Sequence, residues 1–435
     1  MRLYVCLGPL KKAFTQFCRH LVRLDGCHLK GPYGGHLLAA LGVDANDGMY
    51  PIAWAVVESE TTKSWTWFLE LLTHDLKIQV DAERTFISDR QKGLINALEA
   101  IVPNAEHRFC VMHLYQNMHK EFKGKTLRQL LWKAARASTD WEFNLHMNRM
   151  KEIAPKCHDW LIAKPKTQWT RAAFRINVHS DMCVNNHCEV FNSSIRKYRD
   201  LPIITMFREL HKSVMKRIQV RRDKLAARDT VICPSALNKL DKSIQYAGNC
   251  VVSWSGGTTC LVTCTDAGHE LVVDLEKKSC TCRKWNLTGI PCYHACACIA
   301  IRNDPWENHI HECYSKDMYM KLYSCLLEPI VSPEFWEQAS ARLGQLLIVP
   351  TKNDAIKKAA EQGTVPNIAK TTCVCKICNQ PGHNSRTCAQ KKQQQHQNTI
   401  PEMMHQHENN RQADLILVTI FMALDLLVED IGVQF

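Results

Sequence analysis

Asn46-Asp47-Gly48 stands between two apolar runs, residues 37–43 and 51–57. Asn-Gly and Asp-Gly steps tolerate the positive φ of a tight hairpin, and short apolar runs bounded by such turns read as strands. A third run precedes them, Leu21-Val22-Arg23-Leu24-Asp25-Gly26. Together the three predict an antiparallel meander. Residues 64–72 then place Trp65, Phe68, Leu69 and Leu72 at helical spacing. Thr85-Phe86-Ile87-Ser88-Asp89 reads as a fourth strand. Leu94, Ile95, Leu98 and Ile101 mark a second helix, and Arg108-Phe109-Cys110-Val111 a fifth strand. The predicted order across residues 1–120 is β-β-β-α-β-α-β.

That is the element order of an RNase H-like fold, in which the first and fourth strands are neighbours. Asp25 and Asp89 each read as a carboxylate at the exposed tip of an apolar strand, so the analogy brings them side by side. Two such tips make a hard oxygen site. Mg²⁺ takes one or two carboxylates together with waters and phosphate oxygens. Paired ions about 4 Å apart are a common device for phosphodiester chemistry.

The chain of 435 residues has room for two or three domains. Its net charge of +12 points to an anionic partner, most simply DNA or RNA. There are 22 cysteines and 20 histidines, and the start, Met1-Arg2-Leu3-Tyr4-Val5-Cys6, is too short an apolar run for a secretory signal. A reducing, intracellular setting is therefore expected, where clustered cysteines bind zinc rather than form disulfides. The apolar run at 415–424 is too short to span a bilayer, so no membrane partner is expected. Residues 121–230 are mostly helical by periodicity. The segment 204–227 and its surroundings carry Arg208, Lys212, Lys216, Arg217, Arg221, Arg222, Lys224 and Arg228. Such a stripe is either a solvated helix face or a phosphate-contacting one, the latter using Arg217, Arg221 and Arg222.

Three short strands over 251–275 lead into Cys280-x-Cys282-x9-Cys292-x-His294. Thiolates and imidazole at this spacing supply a tetrahedral zinc site, with Gly289-Ile290-Pro291 turning the second pair back. The unit, 250–305, resembles a SWIM zinc finger, a small ββα module. After a polar linker at 351–372 comes a second set, Cys375-x2-Cys378-x4-His383-x4-Cys388, the spacing of a CCHC zinc knuckle over 373–390. Knuckles bind single-stranded nucleic acid, and Lys376, Arg386, Lys391 and Lys392 are placed for phosphate contact. Residues 391–435 are Gln- and His-rich, then apolar, with no assigned role. Two structural zinc ions follow from these spacings. Their removal is expected to unfold 280–294 and 375–388 while leaving a core over 20–115 folded. Cys110-Val111-Met112-His113 offers only two ligands and reads as a packed or hydrogen-bonded pair.

Several stretches resemble plant Mutator-like, MuDR-type transposases. They are Leu24-Asp25-Gly26-Cys27-His28-Leu29-Lys30-Gly31, Ser64-Trp65-Thr66-Trp67-Phe68, Ser88-Asp89-Arg90-Gln91-Lys92-Gly93, Cys110-Val111-Met112-His113 and Asn185-Asn186-His187-Cys188-Glu189-Val190-Phe191-Asn192. The order of core, SWIM finger and knuckle resembles the same family. The resemblance implies a DDE transposase with a helical insertion in its RNase H-like core. It implies catalytic acids Asp25, Asp89 and Glu189 holding Mg²⁺ or Mn²⁺, with Glu99 and Glu106 as weaker alternatives for the third. It also implies DNA as substrate, a nuclear location and a homo-oligomer. The chain begins inside a family stretch, which suggests a truncated or host-recruited derivative. The alternative function is a transposase-derived transcriptional regulator that binds DNA without cutting it.

Overall fold

A computed structural model of the chain describes residues 2–330, apart from 32–33, 79–83 and 266–267. The zinc knuckle ligands Cys375, Cys378, His383 and Cys388 lie outside the described residues. So do Lys376, Arg386, Lys391, Lys392 and the apolar tail.

The first half builds one mixed sheet. Its strands are β1 (Leu3–Cys6), β2 (Leu21–His28), β3 (His36–Val43), β4 (Met49–Val57), β5 (Thr85–Ser88) and β6 (Glu106–Phe109). They lie in the order β1-β4-β3-β2-β5-β6. β2, β3 and β4 form the antiparallel meander that the turn chemistry predicts. β5 and β6 add in parallel on the far side of β2. This is an RNase H-like core. β1 is an addition at the edge, antiparallel to β4, which the sequence reading left unassigned.

The hairpin turn owes its shape to Asp44. Its carboxylate accepts the backbone N–H of Asn46 (2.8 Å) and Gly48 (2.7 Å), and Asp47 takes the left-handed conformation at φ 59°. Asp44 also accepts the hydroxyl of Tyr323, 2.8 Å away.

Helices α1 (Gly8–Phe17), α2 (Thr62–Asp75) and α3 (Lys92–Ile101) cover the sheet. Thr61 and Ser64 form a reciprocal capping box that starts α2. The helices α2 and α3 approach so closely at Gly93 that an added Cβ would lie 2.7 Å from the Thr62 nitrogen and 2.8 Å from the Thr61 carbonyl carbon. Both are backbone atoms, which cannot swing aside. Gly93→Ala should therefore cost about 1–3 kcal/mol in urea unfolding, despite its better helix propensity. An unchanged midpoint would show that the two helices separate freely.

The insertion comprises α4 (Val111–Glu121), α5 (Lys125–Arg136), α6 (Asp140–Ile153) and α7 (Pro155–Ile162), packed around their own core of Leu131, Ala134, Met150 and Trp169. α8 (Asn186–Ser194), α9 (Ile203–Ala226) and α10 (Pro234–Ala247) follow. α8 returns to the sheet through Cys188 and Phe191, and α9 through Met206, Leu210 and Val214.

The remainder is a four-stranded sheet of β7 (Cys250–Trp254), β8 (Thr259–Cys264), β9 (Glu270–Asp274) and β10 (Ser279–Cys280), ordered β10-β9-β8-β7. The short α11 (Lys284–Thr288) and the buried α12 (Tyr293–Arg302) complete it. α13 (Lys316–Tyr323) then goes back to the first core, where Tyr319, Leu322 and Tyr323 are buried. All of these described elements belong to one compact unit.

Candidate functional site

Asp25 is not at a strand tip. β2 continues three residues further, to His28, and Asp25 pairs with Ala39 in mid-ladder. Gly26 and the weakly apolar residues after it did not read as strand because the signal there is pairing with β3, not hydropathy. Asp89 does follow the last residue of β5. The parallel register pairs Val22 with Phe86 and Arg23 with Ile87. Carried two residues on, it sets Asp25 opposite Asp89.

Each carboxylate is oriented by its own donors. Asp25 accepts the Gly26 N–H at 3.0 Å and the Asn192 side-chain amide at 2.9 Å. Asp89 accepts the Gln91 N–H at 3.1 Å. Burial, then the Asp89 charge, raises the Asp25 carboxyl to about 7.

A third carboxylate at this site was not singled out in the sequence. Glu60, between β4 and α2, lies against Gly26, so that a Cβ there would fall 3.0 Å from its Oε1. The Trp65 indole N–H donates to Glu60 at 3.2 Å, and the Gln91 side chain donates to its carbonyl at 2.9 Å. Burial and the Asp89 charge raise its pKa. The available signal was its place at the end of the third meander strand, just ahead of the Thr61 cap.

Glu189 sits in the first turn of α8. Asn192, one turn further along the same face, reaches Asp25, and Asn185 donates to the Leu24 carbonyl at 3.0 Å. Burial raises the Glu189 carboxyl, while His113 on α4 lowers it; His113 acts on Asp25 in the same sense. α8 thus brings Glu189 towards β2. Even so, the ligand oxygens of Asp25, Asp89 and Glu189 do not all fall within 4.8 Å of one another. The alternatives fare worse. Glu106 is occupied by Arg108 (2.8 Å), Thr85 (2.7 Å) and the Arg175 N–H (2.9 Å), and Glu99 is exposed on α3.

The Cys110 thiol is fully buried and accepts the Asn185 N–H at 3.2 Å, while His113 faces the acids. Of the basic stripe on α9, Arg217 donates to the Met49 carbonyl (3.3 Å). The Arg221 guanidinium packs against Gly48. Both reach towards the hairpin, whereas Arg222 lies beside Asp223 (3.5 Å) and Lys212 and Lys216 are exposed.

The second site is a zinc centre. The ligand atoms of Cys280, Cys282, Cys292 and His294 all lie within 4.8 Å of one another and all four residues are buried. His294 Nδ1 is 3.7 Å from both Cys280 Sγ and Cys292 Sγ. A tetrahedron with arms of about 2.3 Å to sulfur and 2.0 Å to nitrogen has S···N edges of about 3.5 Å, so the set fits Zn²⁺. Burial lowers the imidazole to about 4, leaving it neutral and able to ligate. Arg283, next to ligand Cys282, takes φ 66° and extends its guanidinium into the insertion. There it donates to the carbonyls of Arg171 (2.9 Å), Ala172 (2.6 Å), Phe174 (2.5 Å) and Ser138 (3.3 Å).

Comparison with known families agrees with this layout. The MULE transposase domain matches residues 21–117, which run from the start of β2 into α4. The SWIM zinc finger matches residues 260–299, which contain the whole zinc quartet. No curated protein matches the chain significantly. A MULE transposase domain on the RNase H-like core and a SWIM match over the Cys₃His centre support a Mutator-like transposase, or a derivative of one, that binds zinc.

Proposed function

We propose that the chain is a DDE-type enzyme that cuts and transfers DNA strands in the nucleus, with Asp25, Asp89 and Glu189 holding Mg²⁺ or Mn²⁺. The observation that carries the reading is the parallel β2–β5 register, which carried two residues on sets Asp25 opposite Asp89, whose charge acts on it. Adjacent carboxylates that repel one another are suited to a divalent cation. Glu60 adds negative charge on the same side. When bound, such ions activate a water or 3′-hydroxyl and stabilise the leaving oxygen. The chain's part is orientation: Gly26 and Asn192 fix Asp25, Gln91 fixes Asp89, and Trp65 fixes Glu60. The net charge of +12 supports DNA as the partner.

The test is Mn²⁺-dependent nicking of duplex DNA by the purified chain beside Asp89→Ala. The metal's contribution of several kcal/mol predicts loss of about a thousandfold or more in the variant. If neither protein nicks while both bind DNA in a salt-sensitive way, the enzyme reading fails. The chain would then be a DNA-binding regulator.

A further inference from the structure

His294 stands between two groups of sulfur. Its Nδ1 faces the zinc quartet, at 3.7 Å from Cys280 and Cys292. Its Nε2 faces Cys264 Sγ at 3.0 Å. Cys264 is the last residue of β8 and is buried. It lies outside the C-x-C-x9-C-x-H pattern, sixteen residues before Cys280 by numbering. Cys250 pairs with it across the β7–β8 ladder, and the ligand atoms of Cys250, Cys264 and His294 also cluster within 4.8 Å.

Two chemistries could place a thiol on the far side of a zinc-ligating imidazole. One is a second soft ion, with His294 as a bridging imidazolate. The other is a hydrogen bond. A metal-spanned S···N edge is about 3.5 Å or longer, which the Nδ1 side satisfies. The 3.0 Å gap on the Nε2 side is about half an ångström too short for an ion and has room for a proton. A bridging imidazolate would also gather five thiolates around one ring in a buried site, which is electrostatically costly.

We infer that Cys264 is a positioning residue of the SWIM zinc centre: it accepts the His294 Nε2–H and so keeps the lone pair of Nδ1 directed at zinc. Ligating histidines commonly donate their other N–H to a carboxylate, carbonyl or water, and loss of that partner weakens metal binding. Here a cysteine takes the place of those oxygens. The Tyr293 ring lies 3.9 Å from the imidazole and packs against it, which helps hold its orientation. This inference concerns the zinc centre and is independent of the acids.

The test is zinc affinity by chelator competition on the full chain, in a Cys378→Ser background so that the 280–294 quartet is what the chelator reads. Cys264→Ala and Cys264→Val should each lose about 10–100-fold in affinity. Cys264→Ser, which restores an acceptor, should stay within about threefold of the parent, the scale on which an acceptor swap is minor beside that loss. Cys260→Ala is the packing control, since Cys260 is buried on the same strand and belongs to neither Cys/His cluster; it should bind zinc as the parent does. Equal losses for Cys264→Ala and Cys260→Ala would overturn the inference, as would no loss in Cys264→Ala and Cys264→Val. So would a metal equivalent present in the parent at saturating zinc and missing from Cys264→Ser, since that is the signature of a second ion.

Discussion

Cys280→Ser should destabilise the helical insertion as well as the zinc finger. Structural zinc contributes apparent free energies of about 10–16 kcal/mol in isolated fingers, and a missing thiolate removes most of that. Cys282 belongs to the zinc quartet, and Arg283 follows it at once in a left-handed conformation. Four insertion carbonyls accept from that one guanidinium. Without zinc, Arg283 is released and each of these carbonyls loses a donor in a partly buried place. Hydrogen exchange with and without chelator is the measurement. Amides of residues 130–175 should lose protection together with those of 250–302. Unchanged protection over 130–175 would mean that the finger is an independent module, as the sequence alone suggests. Arg283→Ala should reproduce the insertion's loss with zinc still bound.

Asp47→Ala should cost about 3–5 kcal/mol, the scale for breaking a buried ion pair from one side. Asp47 in the hairpin turn pairs with Arg19, whose side chain is 3% exposed, and with Lys239 of α10 at 2.8 Å. Arg19 also donates to the Tyr314 hydroxyl at 3.2 Å. That hydroxyl lies 2.8 Å from the carbonyls of His179 and Thr288. One carboxylate thus links the meander, α10 and the chain that follows the zinc finger. Urea unfolding should register the loss as a lower midpoint. A change below about 1 kcal/mol, the value of an exposed pair, would show that water already screens the contact.

The same group sets a pH dependence. Burial alone would raise the Asp47 carboxyl, but Arg19 and Lys239 outweigh it and hold it well below the usual carboxylate range. Its folded pKa is therefore lower than the unfolded value of about 3.9. Stability from this pair is fully present above that value and declines as pH falls through it. Thermal midpoints of wild type and Asp47→Ala should converge as the pH drops below about 4.

What could be read in the residues was whatever a short window contains. The hairpin at Asn46-Asp47-Gly48, the α-β alternation after it and the three helices at 125–136, 140–153 and 203–226 are local patterns of period and turn chemistry. The zinc quartet is local too, because its spacing carries the tetrahedron. Unassigned elements had weak local signals. β1 is four half-buried residues that pair only because β4 offers an edge, and α13 is short and amphipathic, buried only on return to the first core.

By itself, then, the sequence determined the strand and helix order of the core, the chemistry of the zinc centre and the presence of two strand-borne aspartates. Tertiary structure decided the rest. It carried β2 beyond Asp25, set that residue opposite Asp89, and brought Glu60 and Asn192 to the same carboxylate from 35 and 167 residues away. It placed Cys264 behind His294 and ran Arg283 into the insertion. The physical reason is that hydropathy period and ligand spacing describe a chain's conformation over a few residues. Which side chain meets a carboxylate or an imidazole depends on strand register and helix docking, and these are settled only when distant segments bury their apolar faces together.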